Sequence, residues 1–181
     1  MILTYPLEQE DFLELQLFVA SKSSRIRIQR RLTWLLYSLV FGGLGLIFYF
    51  TSNKTVGYYF FALAIVTVIF FPTYLGWYYK RHYSRFLDST IKNRYGIVVA
   101  IEINDEFIET GDAGGVSKIY LRELEEIVGT SRYWFLKLKR GTHLIIPKTK
   151  IDNDNEVEIY LKTLCCKLGV VFTEDLNWKW R

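Results

Sequence analysis

The stretch RIRIQRRLTWLLYSLVFGGLGLIFYF, residues 25–50, decides where this chain belongs. Lys22, Arg25, Arg27, Arg30 and Arg31 lie at or just before its start, and the twenty residues Leu32–Thr51 carry no charge. A helix rises about 1.5 Å per residue, so such a run reaches roughly 30 Å, the thickness of a bilayer's hydrocarbon core. A soluble core helix seldom stays uncharged for so long, because one of its faces meets water. A signal peptide would start close to Met1, with a shorter apolar core and a small-residue cleavage site. Here an acidic amphipathic segment comes first and no such site follows. The run reads as a membrane span.

A second run, TVGYYFFALAIVTVIFFPTYLGWYY (55–79), has twenty-five uncharged residues, enough to cross with tilt or a kink. Pro72 is the expected kink, because it removes a backbone donor and crowds the preceding turn. Trp34 and Tyr37 open the first span and Phe48, Tyr49 and Phe50 close it; Tyr58, Tyr59, Trp77, Tyr78 and Tyr79 flank the second. Trp and Tyr prefer the headgroup level. Only SNKT or so separates the runs, which forces an antiparallel hairpin.

The outer flanks carry the bases Lys22, Arg25, Arg27, Arg30 and Arg31 on one side and Lys80, Arg81, Arg85, Lys92 and Arg94 on the other. Asp88 is the one acid among them, and the connecting loop has Lys54 alone. Arg25, Arg27, Arg30, Arg31, Lys80, Arg81 and Arg85 therefore set the topology: both termini cytoplasmic, the loop outside. The net charge of +4 hides this asymmetry, since the residues after Tyr95 carry −2. The basic balance points to a lipid surface rather than to nucleic acid. Cys165 and Cys166 are adjacent, so they form neither an ordinary disulfide nor a metal-ligand spacing, and they read as reduced, core-facing or half-buried residues.

Residues 1–24 read as an acidic amphipathic cytoplasmic segment that holds a short helix. Leu13, Leu17 and Ala20 form its stripe, with Phe12, Gln16 and Val19 beside it, and Glu8, Glu10, Asp11 and Glu14 suit its N-terminal dipole. The hairpin occupies residues 25–94, with spans at about 32–51 and 55–79. From residue 95 to 181 the pattern changes to strands: GIVVAIEI, FIET, VSKIYL, EEIVGTS, YWFLKLK and THLIIPK, with a loop at GDAGG and a tight turn at RGT. So many short strands require an antiparallel meander. A last helix follows, capped by Asn153 or Asp154 and ended by Gly169, with Val157, Leu161, Leu164 and Leu168 as its buried stripe. The fold class is membrane α+β: a two-helix hairpin and a C-terminal antiparallel sheet of six or seven strands crossed by a helix, in pleckstrin-homology-like outline. Residues 95–181 are expected to fold alone.

The segments LRELEEIVGTSRYWFLKLKRGTHLIIPKTKI (121–151), with Ile145, Ile146, Pro147 and Lys148, and EDFLELQLFVASKS (10–23) resemble the YcxB-like family of bacterial two-span membrane proteins. Leu124 stands before Glu125 where that family often has an aromatic. The resemblance implies an architecture and a bacterial inner-membrane location, and it supplies no mechanism.

The enzyme motifs are missing. There is no P-loop, H-E-x-x-H, G-x-S-x-G or C-x-x-C, and His82 and His143 share no spacing with cysteines or acids. No catalytic residue, metal site or cofactor is expected. The spans hold no ionisable group to mark a transport path. Ser38, Gly42, Gly43 and Gly45 allow close helix approach, to the second span or to another copy in a homo-oligomer. Lys137, Lys139 and Arg140 form a candidate surface patch. The expected function is a non-enzymatic inner-membrane protein whose cytoplasmic domain binds a protein partner or regulates a membrane process. The alternative is an immunity protein against a toxin acting at the membrane or periplasm.

Overall fold

A computed structural model describes residues 1–51, 53–112 and 115–180. Ser52, in the short connection, and Ala113 and Gly114, at the centre of the expected GDAGG loop, lie outside the described residues. The chain forms two compact units. One comprises Met1–Leu15 with Phe86–Lys179; the other comprises Gln16–Arg85 with Trp180.

The second unit is a helical hairpin. Helix α1 (Gln9–Lys22) enters it, followed by α2 (Ser24–Thr51, 28 residues) and α3 (Lys54–Thr90, 37 residues). Both long helices run past the expected spans, because the flanking basic stretches are good helix formers and lack a breaker. Only 6% of the most apolar window of each is buried, so neither is the core helix of a soluble protein. Leu32, Leu36, Leu39, Ile65, Ile69 and Phe70 are all exposed. Two helices are thus long and apolar enough to span a membrane.

The helices meet where side chains vanish. A Cβ built on Gly57 would stand 3.0 Å from the Tyr49 backbone nitrogen and 3.1 Å from the Gly45 carbonyl oxygen. One on Gly45 would stand 3.0 Å from the Phe61 ring. Phe48 and Phe60 stack beside them, 5.4 Å apart at 7°. Gly42 and Gly43 have nothing within 4 Å of a built Cβ. Gly57→Ala, pressed against backbone that cannot rotate away, is expected to cost the hairpin about 1–3 kcal/mol. Gly42→Ala and Gly43→Ala are each expected to gain up to about 1 kcal/mol in helix propensity. Unfolding of the three variants in mixed micelles checks this, and an unaffected Gly57→Ala would refute the contact.

The first unit is built from two four-stranded sheets. Strands β1 (Ile2–Leu7), β2 (Ile97–Ile103), β3 (Phe107–Asp112) and β4 (Gly115–Tyr120) pair antiparallel in chain order. The second sheet is ordered β7 (His143–Pro147), β6 (Tyr133–Leu138), β5 (Leu124–Gly129), β8 (Val171–Glu174). Helix α4 (Asp154–Leu168) connects β7 to β8, and β8 lies parallel to β5.

This corrects the sequence reading in three places. The six or seven strands form two sheets rather than one. The chain does not end on the helix, because a parallel strand follows it. Residues 2–7, expected in an N-terminal segment separate from the sheet, form an edge strand of the first sheet. Their burial alternates strictly, with Leu3, Tyr5 and Leu7 buried, and Pro6 is tolerated because β1 is an edge.

Strand β6 is central and buried on both faces: Tyr133, Trp134, Phe135, Leu136 and Leu138 are all inside. Val157, Leu161, Leu164 and Cys165 form the buried stripe of α4, with Leu168 half-buried. Gly169 ends the helix at φ 66°, and the Asn153 side chain bonds Glu156 at 3.2 Å instead of capping the backbone. Burial lifts the Cys165 thiol to about 11, while Cys166 is exposed. In α1, Leu17, Phe18 and Ala20 are buried and Leu13 is half-buried.

Candidate functional site

Within the first unit, one face of the first sheet is apolar by register. Leu3 pairs with Ile101, Tyr5 with Val99 and Leu7 with Ile97, so these six side chains share a face. Across β3 and β4 that face turns polar at the Thr110–Ser117 pair. His143, Leu144 and Ile145 of β7 and Phe12 and Leu15 of α1 oppose it. A cleft of about 680 Å³ lies between them, within the range of small-molecule and side-chain sites. The Tyr5 hydroxyl donates to the Ile145 carbonyl and links the two walls. Burial holds the His143 imidazole below the usual histidine range, so its neutral form faces the cleft. No carboxylate, lysine or cysteine lines the cleft among the described residues. Its chemistry is therefore reception of an apolar group with a few polar anchors.

The cleft borders an open sheet edge. Strand β4 is exposed along nearly its whole length, with Val116 at 75% and Tyr120 at 52%. Leu121 N–H donates to Glu106 O at 2.9 Å, which fixes the alternation. The backbone groups of Val116, Lys118 and Tyr120 then point away from β3. Lys118 stands 3.3 Å over the Phe107 ring and 3.7 Å from Glu109.

A polar node sits where α1 starts. Asp11 is 3% exposed. Its Oδ2 accepts from Glu8 N–H at 2.7 Å and from Lys150 Nζ at 2.8 Å, and its Oδ1 accepts from the Tyr133 hydroxyl at 3.1 Å. Lys150 also donates to Pro6 O at 3.1 Å. Burial, then the Asp11 charge, pushes the Tyr133 phenol well above its ordinary value. In sequence Asp11 reads as one dipole-satisfying acid among four; nothing local marks it as buried, because its partners lie more than a hundred residues away.

The other expected residues fall as follows. Lys137 pairs with Glu125 at 2.7 Å and Arg140 with Glu123 at 3.8 Å, which leaves the candidate patch largely neutralised around exposed Lys139. The Ser38 hydroxyl bonds back to Trp34 O at 2.9 Å. Gly45, unlike Gly42 and Gly43, lies in the hairpin contact. Arg25, Arg27, Arg31, Lys80, Arg81 and Arg85 are exposed, with Arg81 over the Trp77 ring at 5.2 Å. Arg30 is half-buried between aromatic rings. No group of three or more His, Cys, Asp or Glu among the described residues is placed to hold a metal ion.

A family model described as YcxB-like protein matches residues 103–164, about a third of the chain, from the last residue of β2 into α4. The matched segment lies wholly in the first unit and includes the IIPK stretch and all of β3 to β7. No curated protein and no solved structure matches the chain.

Proposed function

We propose that this chain is a non-enzymatic inner-membrane protein whose globular unit, a pleckstrin-homology-like module on the cytoplasmic side, binds an extended segment of a protein partner. The partner strand adds to β4, and one of its apolar side chains enters the adjoining cleft. The observation that carries this reading is the exposed edge with free backbone groups beside an apolar cavity, the arrangement that strand addition uses. The basic flanks support a cytoplasmic location for both termini. Pairing of β1 with β2 supports only the two strands sharing one side of the hairpin they flank, and the choice of side rests on the bases. The two sheets with a helix support the module assignment, while the parallel β8 departs from its usual outline.

The test is retention of the co-purified partner by the full chain in mild detergent. Lys118→Pro removes one outward N–H from an edge strand, where proline is tolerated. It is expected to abolish retention while the globular unit stays folded. Unchanged retention would reject strand addition. Retention by a chain truncated after Arg94, lost on Gly42→Leu with Gly43→Leu, would move the function to the spans and favour immunity.

A further inference from the structure

Arg27, Arg30, Arg31 and Trp34 are spaced i, i+3, i+4 and i+7 on α2, so they share one helical face. They face Pro72 and Leu75 of α3 across a cavity of about 220 Å³. The floor has a specific cause. Pro72 has no N–H, so the Val68 carbonyl loses its helical donor four residues on. The Trp34 indole N–H reaches that carbonyl at 3.3 Å and supplies the missing bond. The indole is thereby pinned beside the proline ring. Arg30 is held as well: its guanidinium lies 4.9 Å from the Trp180 ring and 5.8 Å from the Tyr79 ring, and the Trp180 indole donates to Gly76 O at 2.8 Å.

The rim is cationic. The first turn of α2 holds no acid, and no ion pair involves Arg27 or Arg31 among the described residues. Just beyond Arg31 the uncharged run begins. A cavity with guanidiniums at its mouth, an aromatic and aliphatic floor, and an apolar helix surface leading away from it matches the polarity of one molecule class.

We propose that this cavity binds an anionic phospholipid. The phosphate sits between Arg27 and Arg31, whose planar forks suit its oxygens, and the glycerol and first methylenes lie on Trp34, Pro72 and Leu75. The site rests on reading α2 and α3 as membrane spans. It goes beyond topology determination, because it requires one geometry rather than a count of bases.

The experiment is lipid titration onto the full chain in mild detergent, read by native mass spectrometry, with phosphatidylglycerol and phosphatidylcholine as probes. The wild type is expected to prefer phosphatidylglycerol by roughly tenfold or more. Arg27→Gln with Arg31→Gln, both exposed, is expected to bring the preference close to unity. Lys80→Gln with Arg85→Gln removes the same charge from the other flank and is expected to leave the preference intact. Equal loss in both pairs, or no preference in the wild type, would overturn the site. Displacement of the lipid by millimolar inorganic phosphate would also overturn it, in favour of a free-anion site. A chain that remains monodisperse without detergent would instead overturn the membrane reading itself.

Discussion

A chain that begins at a new Met in place of Gln9 keeps its helical hairpin and loses its globular unit. The missing strand covers β2 along six residue pairs, Ile2–Glu102 through Leu7–Ile97. Leu3, Tyr5 and Leu7 leave the core with it, at 7%, 1% and 8% exposure. Removing one such buried side chain typically costs about 2–5 kcal/mol, and a domain has only about 5–15 kcal/mol in all. The truncation also removes the tie from the Tyr5 hydroxyl to Ile145 and the Glu8 N–H that Asp11 accepts. Limited proteolysis of full and truncated chains in the same detergent is the measurement. Cleavage throughout residues 97–174 in the truncated chain is expected, with α2 and α3 protected. Equal protection of β2 to β8 in both would show β1 to be dispensable. By the same reasoning a fragment from Tyr95 to the C-terminus, which reads as self-sufficient in sequence, is expected not to fold.

Asp11→Ala is the point substitution with the largest expected effect on the globular unit. The carboxylate side chain is 4% exposed and Lys150 19%, so the pair is shielded from water. Truncating one partner leaves a phenol whose acceptor has gone and an ammonium still held by Glu8 at 3.4 Å and Pro6 O at 3.1 Å, at a cost of about 1–3 kcal/mol. Asp11→Asn keeps the shape and one acceptor oxygen but not the charge, and is expected to cost less. Arg132→Ala breaks a pair to Glu10 whose side chains are 49% and 59% exposed, and falls within the range of about 0–1 kcal/mol found at surfaces. Thermal unfolding of the three variants, followed by tryptophan fluorescence, ranks them. An Asp11→Ala melting point no lower than that of Arg132→Ala would show the node to be energetically idle.

What the sequence reveals here is what local pattern encodes. The uncharged runs announce α2 and α3, six of the eight strands follow from β-branched stretches and turn residues, and Gly169 marks the end of α4. The failures share one physical character. Strand β1 has a clean two-residue alternation, but Pro6 and the acids that follow it point to other structure, and its partner lies beyond the hairpin. Strand β8 is short, and Val171 is 62% exposed, so it has no apolar face to signal it. The split into two sheets depends on which strands fail to pair, which no single segment encodes. In the candidate patch Lys137 and Arg140 pair with Glu125 and Glu123, on a strand neighbour and its approach, and Lys139 stays exposed, an arrangement set by register. The Arg27–Trp34 face was legible as charge, but its cavity depends on Pro72 of another helix.

The pairing of β1 with β2 has a consequence for biogenesis. Strand β1 leaves the ribosome before β2, which emerges some ninety residues later, after both long helices. For a chain whose hairpin crosses a bilayer, the sheet closes only if both helices have been inserted. One failed insertion leaves the two strands on opposite faces of the membrane, and the globular unit never forms. The fold of the domain is then a report on the state of its own anchor: a half-inserted copy presents a proteolysable tail instead of a closed sheet.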